Sequence, residues 1–123
     1  MSEKESIKPV CAVDYAFGRI GGKYKGRLLW YLHTHKILRY GELKRHITNI
    51  TTKMLTQTLR ELETDGLICR KVYHEVPPKV EYSLTEVGGE LIPFINYLRE
   101  WGTKQMEKEN IPSTVSPTNH DAL

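Results

Sequence analysis

The chain has 123 residues with 18 basic and 15 acidic side chains and two cysteines, which fits one domain with a single hydrophobic core. An apolar run of about 18 residues, as a membrane span requires, is absent, and so is an N-terminal apolar segment typical of a secretory signal. Two cysteines do not form a disulfide framework, so we expect a cytoplasmic protein without a structural disulfide.

The charge is unevenly distributed along the chain. Residues 36–79 contain nine basic and five acidic side chains, whereas the chain from residue 80 onward contains three basic and seven acidic ones. This asymmetry favours one nucleic-acid-binding face and a separate oligomerisation or surface region. The alternative is ordinary solvated charge.

The N-terminal third predicts two helices after a disordered arm at residues 1–10. Apolar residues from Val13 to Ile20 recur on one helical face, so a first helix begins near Cys11 and ends at Gly21-Gly22. A second helix is predicted over about residues 23–33. Lys23 and Lys25 lie in its first turn, where the helix dipole disfavours cations, which favours an external anion as their partner.

The central segment predicts a helix-turn-helix. A very short strand at Ile37-Leu38 precedes a third helix over about residues 40–47, and a turn leads to Thr51 as the N-cap of a fourth helix. In that helix Leu55, Leu59 and Leu62 repeat every three or four residues and face the core. Gly66 ends the helix.

Two strands predicted at residues 67–73 and 80–84 enclose Pro77 and Pro78, which cannot donate ladder hydrogen bonds and therefore belong to the loop. A helix followed by a small hairpin is typical of a winged helix-turn-helix, so we predict a mainly α fold with a small β-wing. Gln57 and Arg60 are predicted to contact bases, and Lys53 and Thr56 to contact phosphates. The full predicted DNA-binding set is Lys23, Lys25, Thr51, Thr52, Lys53, Thr56, Gln57, Arg60, His74 and Lys79. The alternatives are a solvent-exposed helix face and a plain hairpin with incidental charges.

Thr85 is predicted to cap one long helix to about Glu107, kinked near residues 89–93 because Pro93 lacks an N–H. A disordered tail is predicted at residues 110–123. The apolar surface of this helix is broad for a terminal helix and suggests an oligomer. The predicted dimer interface comprises Val13, Phe17, Leu91, Phe94, Ile95, Leu98 and Trp101.

Short sequence motifs over roughly residues 11–109 resemble the HxlR-type winged-helix transcriptional regulators of bacteria, relatives of the MarR type. Their order and spacing together are specific. The main ones are Cys11-Ala12-Val13, Ile20-Gly21-Gly22-Lys23-Tyr24-Lys25, Met54-Leu55-Thr56-Gln57, Leu59-Arg60-Glu61-Leu62-Glu63, Asp65-Gly66 and Glu100-Trp101-Gly102. The chain departs from the family pattern at Ala12, where proline is usual, at Tyr24, where tryptophan is usual, and at Gly89, where a larger residue is usual.

The resemblance implies a homodimer joined by its first and last helices and bound to an inverted-repeat (palindromic) operator in double-stranded DNA. It also implies that Cys11 occupies the position of a thiol that senses electrophiles or oxidants in several members. The alternative for Cys11 is a small residue packed under the helix, and Cys69 is predicted to be structural.

The five histidines have no metal-ligand spacing and no nucleophile–base pair stands out, so we predict neither a metal, a cofactor nor an enzyme. The competing function is a winged-helix scaffold for protein interactions without specific DNA binding.

Overall fold

The computed structural model describes residues 7–114, and within them six helices surround a small sheet. The elements are α1 (Ala12–Ile20), α2 (Lys25–His35), β1 (Leu38–Arg39), α3 (Tyr40–His46), α4 (Thr52–Thr64), β2 (Ile68–Tyr73), β3 (Lys79–Leu84), α5 (Glu86–Gly89) and α6 (Ile92–Lys108). The mainly α fold with a β-wing is confirmed. The predicted disorder of residues 1–6 and 115–123 concerns residues outside the described part of the chain.

The sheet is antiparallel with the order β1-β3-β2. Leu38 pairs with Tyr82, and Val72 pairs with Val80 across the hairpin. Pro77 and Pro78 lie in the loop between β2 and β3, as predicted. The wing is thereby attached to the helix-turn-helix through the short strand β1. This strand starts one residue later than predicted, since its pairing with β3 begins at Leu38.

One core lies between α2, α3, α4, α6 and the sheet. The leucines of α4 at positions 55, 59 and 62 are buried, as predicted, together with Leu43 and Ile47. Gly66 has a φ of 74°, in the left-handed region that glycine adopts without a steric penalty, so it ends α4 as expected. This core fixes the face of α4 that points outward.

The C-terminal region corrects one prediction: a single kinked helix is wrong, and two helices replace it. α5 ends at Gly89 and α6 begins at Ile92, with Pro93 in its first turn. A proline in the first turn needs no N–H partner, so the chain starts a new helix instead of bending an old one. Thr85 does cap α5, because its hydroxyl accepts a 3.0 Å hydrogen bond from the Gly88 N–H.

Candidate nucleic-acid interface

Helix α4 presents a polar face to solvent. Its N-cap is Thr51, whose hydroxyl accepts a 3.1 Å hydrogen bond from the Met54 N–H, as predicted. Lys53, Gln57 and Arg60 are exposed on the side opposite the buried leucines. Thr51 and Thr52 are also exposed at its start. The start and the outer face of α4 are therefore accessible to the groove of a DNA duplex.

Tyr40 and Thr56 fix the angle between the two helices of the helix-turn-helix. The Tyr40 hydroxyl lies 3.1 Å from the Thr52 carbonyl oxygen, to which it donates, and 2.9 Å from Thr56 Oγ1. Since the phenol has one proton, Thr56 is the donor in the second bond. Tyr40 was not among the predicted site residues, because only the packing of α3 on α4 reveals its role.

The partner of Lys25 is a carboxylate of the same chain and not the external anion that was predicted. The helix α2 begins at Lys25 and not at Lys23, and the Lys25 ammonium lies 3.1 Å from Glu61 Oε1 on α4. Glu61 Oε2 in turn accepts a 3.1 Å hydrogen bond from Gln57 Nε2. These two bonds, first the one from Gln57 and then the one from Lys25, lower the pKa of Glu61. Lys23 is exposed before α2, with its ammonium 5.5 Å from the centre of the Tyr24 ring.

Arg60 lies at the edge of a cavity of about 240 Å³ between α4 and the wing, whose lining also includes Tyr40, Thr56, Glu63 and Arg70. Within residues 7–114 the structure gives Arg60 no ion pair or hydrogen bond. Arg70 Nε on β2 lies 3.4 Å from Glu63 Oε1 and links the wing to α4. Arg70 was not among the predicted site residues, although a basic residue in a predicted wing strand is a usable signal.

Basic side chains also lie on the wing. The Lys79 ammonium lies 4.4 Å from the centre of the Tyr73 ring and 3.8 Å from Glu81 Oε2, and Lys71 lies on the same ring at 5.0 Å. His74 is exposed beside the loop. The wing therefore adds positive charge next to α4, but Glu81 partly offsets that of Lys79.

Cys11 is the N-cap residue of α1 and is exposed. The backbone N–H groups of Asp14 and then Val13 lower the pKa of its thiol, since they stabilise the thiolate at the positive end of the helix. Within a single chain, Cys11 is therefore not packed under α1. The structural role predicted for Cys69 also lacks support, because that side chain is exposed on β2.

Helices α1 and α6 together carry an exposed apolar surface. Val13, Phe17, Phe94, Leu98 and Trp101 are all exposed there, and a cavity of about 290 Å³ opens between the two helices. Ile95 corrects the predicted interface set: it is 8% exposed and packs in the core of its own chain. Leu91 is half-buried at the edge of the same surface.

Residues 7–114 lack two features that mark other classes of protein. No group of three or more histidine, cysteine or acidic side chains is arranged there to hold a metal ion. No helix in that range is both long and apolar enough to cross a membrane. The His35 and His46 rings are 4.6 Å apart, a contact that their spacing in sequence did not predict.

The fold and the exposed face of α4 define a winged helix-turn-helix protein. Residues 19–110 match the HxlR-like helix-turn-helix family, and the chain belongs to that family. It is 50% identical over 105 residues to the HTH-type transcriptional regulator YybR of Bacillus subtilis, covering 83% of each chain. The chain is a transcriptional regulator of the HxlR type and not an enzyme.

Two solved structures resemble this fold over most of the chain. The redox regulator HypR in its oxidized form is 48% identical, with a TM-score of 0.73, and the match covers 76% of this chain and 96% of HypR. The HTH-type transcriptional regulator YtcD is 49% identical, with a TM-score of 0.75, and the match covers 80% of this chain and 99% of YtcD.

Proposed function

We propose that this regulator acts as a homodimer on an inverted-repeat operator in double-stranded DNA, and therefore in the cytoplasm, on the nucleoid. The observation that best supports this proposal is the polar outer face of α4, where Lys53, Gln57 and Arg60 are exposed beside a basic wing. Arg60 pairs with guanine and Gln57 with adenine in the major groove. Lys53, the threonines at 51 and 52, and the basic groups Lys23, His74 and Lys79 contact the backbone. Thr56, whose hydroxyl proton is donated to Tyr40, positions α4 instead.

The apolar surface of α1 and α6 supports the dimer. Trp101 is 56% exposed and Phe17 52% exposed on it. A contiguous apolar surface of this kind is typical of an interaction site. In a two-fold symmetric dimer, this surface on one chain would pack against the same surface on the other. Such a dimer would place its two α4 helices about 34 Å apart, one turn of DNA.

The experiment that tests this function is selection from a pool of random duplexes at moderate salt. We expect enrichment of an inverted repeat. A winged-helix scaffold, the alternative function, would enrich no sequence and would bind DNA only as weakly as its charge dictates. The exposed polar face of α4 favours the regulator, since a scaffold does not need lysine, glutamine and arginine there.

We further propose that modification of Cys11 by a small electrophile or oxidant releases the operator. HypR, a structural relative, is a redox regulator. Cys11 starts α1, and Arg19 near the end of that helix lies 3.7 Å from Asp65, the C-cap of α4. A shift of α1 caused by an adduct at Cys11 would therefore reach both the apolar surface and the end of α4.

A further inference from the structure

Lys25, Glu61 and Gln57 form a chain of contacts from α2 to the outer face of α4. The Lys25 ammonium lies 3.1 Å from one oxygen of the Glu61 carboxylate, and the Gln57 amide nitrogen donates to the other oxygen at 3.1 Å. We propose that Glu61 is a positioning residue that sets which end of the Gln57 amide faces DNA. This inference rests on the proposed function, since it names a specificity device within the same DNA-binding face.

The polarity of the hydrogen bond carries the argument. An ionised carboxylate can only accept hydrogen bonds, so the amide end that faces Glu61 must be the nitrogen. Turning the amide by 180° would bring the Gln57 oxygen against a carboxylate oxygen. Glu61 therefore leaves the amide oxygen and the second N–H of Gln57 for an external partner.

Lys25 makes the Glu61 carboxylate a fixed reference point. The Lys25 side chain is only 14% exposed, whereas that of Glu61 is 46% exposed. A largely buried lysine side chain on α2 thus anchors a more exposed carboxylate on α4. The same contacts lower the pKa of Glu61, so the carboxylate stays ionised well below neutral pH and keeps its acceptor character.

The chemical consequence is a preference among bases. Adenine offers N6–H₂ as a donor and N7 as an acceptor in the major groove, which match the free oxygen and the free N–H of a glutamine amide. A glutamine whose amide turns freely can also present two N–H groups to guanine, whose major-groove edge has only acceptors. Glu61 removes that second option and so favours adenine over guanine at the base pair that Gln57 contacts.

The test measures base discrimination separately from overall affinity. The operator is first defined with the wild-type protein by random-duplex selection, and Gln57→Ala identifies the base pair that Gln57 contacts. The four variants of that base pair are then titrated against each protein. We expect Glu61→Ala to lose roughly tenfold or more of the discrimination there, approaching Gln57→Ala, while binding to unrelated DNA is unchanged or tighter because a negative charge is removed.

Glu63→Ala is the matched control. It removes the same charge from the same helix but releases Arg70 and leaves Gln57 and Glu61 untouched. We expect it to retain the discrimination at that base pair. The double variant Gln57→Ala/Glu61→Ala should discriminate no worse there than Gln57→Ala alone, because Glu61 acts through Gln57. Glu61→Gln should be intermediate, since a neutral amide can accept from Gln57 or donate to it.

Four results would overturn the inference: wild-type discrimination in Glu61→Ala, an equal loss in Glu63→Ala, a further loss in the double variant, or no base dependence on Gln57. Circular dichroism of each variant excludes misfolding as the cause, and Glu61→Gln provides an isosteric second variant. If the wild-type protein enriches no sequence at all, the proposed function itself fails. That result is distinct from a wild-type protein that selects an operator without the help of Glu61.

Discussion

The rings of Phe17 on α1 and Phe94 on α6 meet edge to face, with centroids 6.0 Å apart and an interplanar angle of 74°. Both side chains remain substantially exposed, Phe17 at 52% and Phe94 at 38%. The pair therefore joins the first and last helices of one chain into a single apolar surface while leaving most of that surface available to a second copy.

A charge placed in this surface should separate the dimer. We expect Phe94→Glu to be monomeric at micromolar concentration, because a carboxylate buried in an apolar interface without a partner is strongly disfavoured. Sedimentation velocity provides the measurement. Ile37→Glu, an equally polar change at an exposed apolar residue between α2 and β1, should leave the wild-type oligomer intact. A Phe94→Glu dimer would place the interface elsewhere.

Arg60→Ala should weaken operator binding by about 1–3 kcal/mol and leave the fold intact. The side chain is exposed and forms no ion pair or hydrogen bond within residues 7–114. Titration of a labelled operator measures the affinity, and thermal unfolding by circular dichroism measures the fold. An affinity equal to wild type would show that α4 meets DNA with a different face.

Adjacent glycines in α5 should respond in opposite ways to alanine. Gly88 is buried, and a Cβ there would overlap the carbonyl oxygen of Leu67 in the segment before β2, whereas a Cβ at Gly89 has no neighbour within 4 Å. We expect Gly88→Ala to lower the free energy of unfolding by about 1–3 kcal/mol. Gly89→Ala should be neutral or stabilising by up to about 1 kcal/mol. Urea unfolding measures both free energies, and equal values for the two variants would contradict this account.

Cys11→Ser should abolish the response of DNA binding to a quinone or mild oxidant, while Cys69→Ser retains it. The lowered pKa means that the Cys11 thiolate is present at lower pH than for an ordinary thiol. Its rate of alkylation should therefore decline at a lower pH than that of an ordinary thiol, because the thiolate persists to lower pH. Equal responses of wild type and Cys11→Ser would assign regulation to another group or ligand.

The local elements were predictable because their signals lie within a few residues. The Thr51 cap, the leucine repeat of α4 and the Gly66 stop each follow from side-chain chemistry at fixed spacing. The sequence predicted a kink near residues 89–93, where the structure has a break between two helices at residues 90–91. Pro93 forbids a backbone hydrogen bond, but this alone does not decide between a kink and a new helix.

The contacts between elements could not be predicted from spacing. Lys25 and Glu61 are 36 positions apart and meet only because the fold brings the start of α2 close to α4. Ile95 belongs to the same apolar pattern as Phe94 and Leu98, but it faces the core of its own chain. A periodic apolar stripe shows that a face is buried, but it does not show whether the chain itself or a partner buries it.

A hydroxyl-radical footprint of the selected operator tests the central claim, a symmetric dimer whose α4 helices each read one half-site. We predict two equally protected half-sites whose centres are about 10 base pairs apart, related by two-fold symmetry and bound by two chains per duplex. Arg60→Ala should weaken protection of both half-sites together. A single protected site bound by one chain, or uniform weak protection along the duplex, would contradict the account.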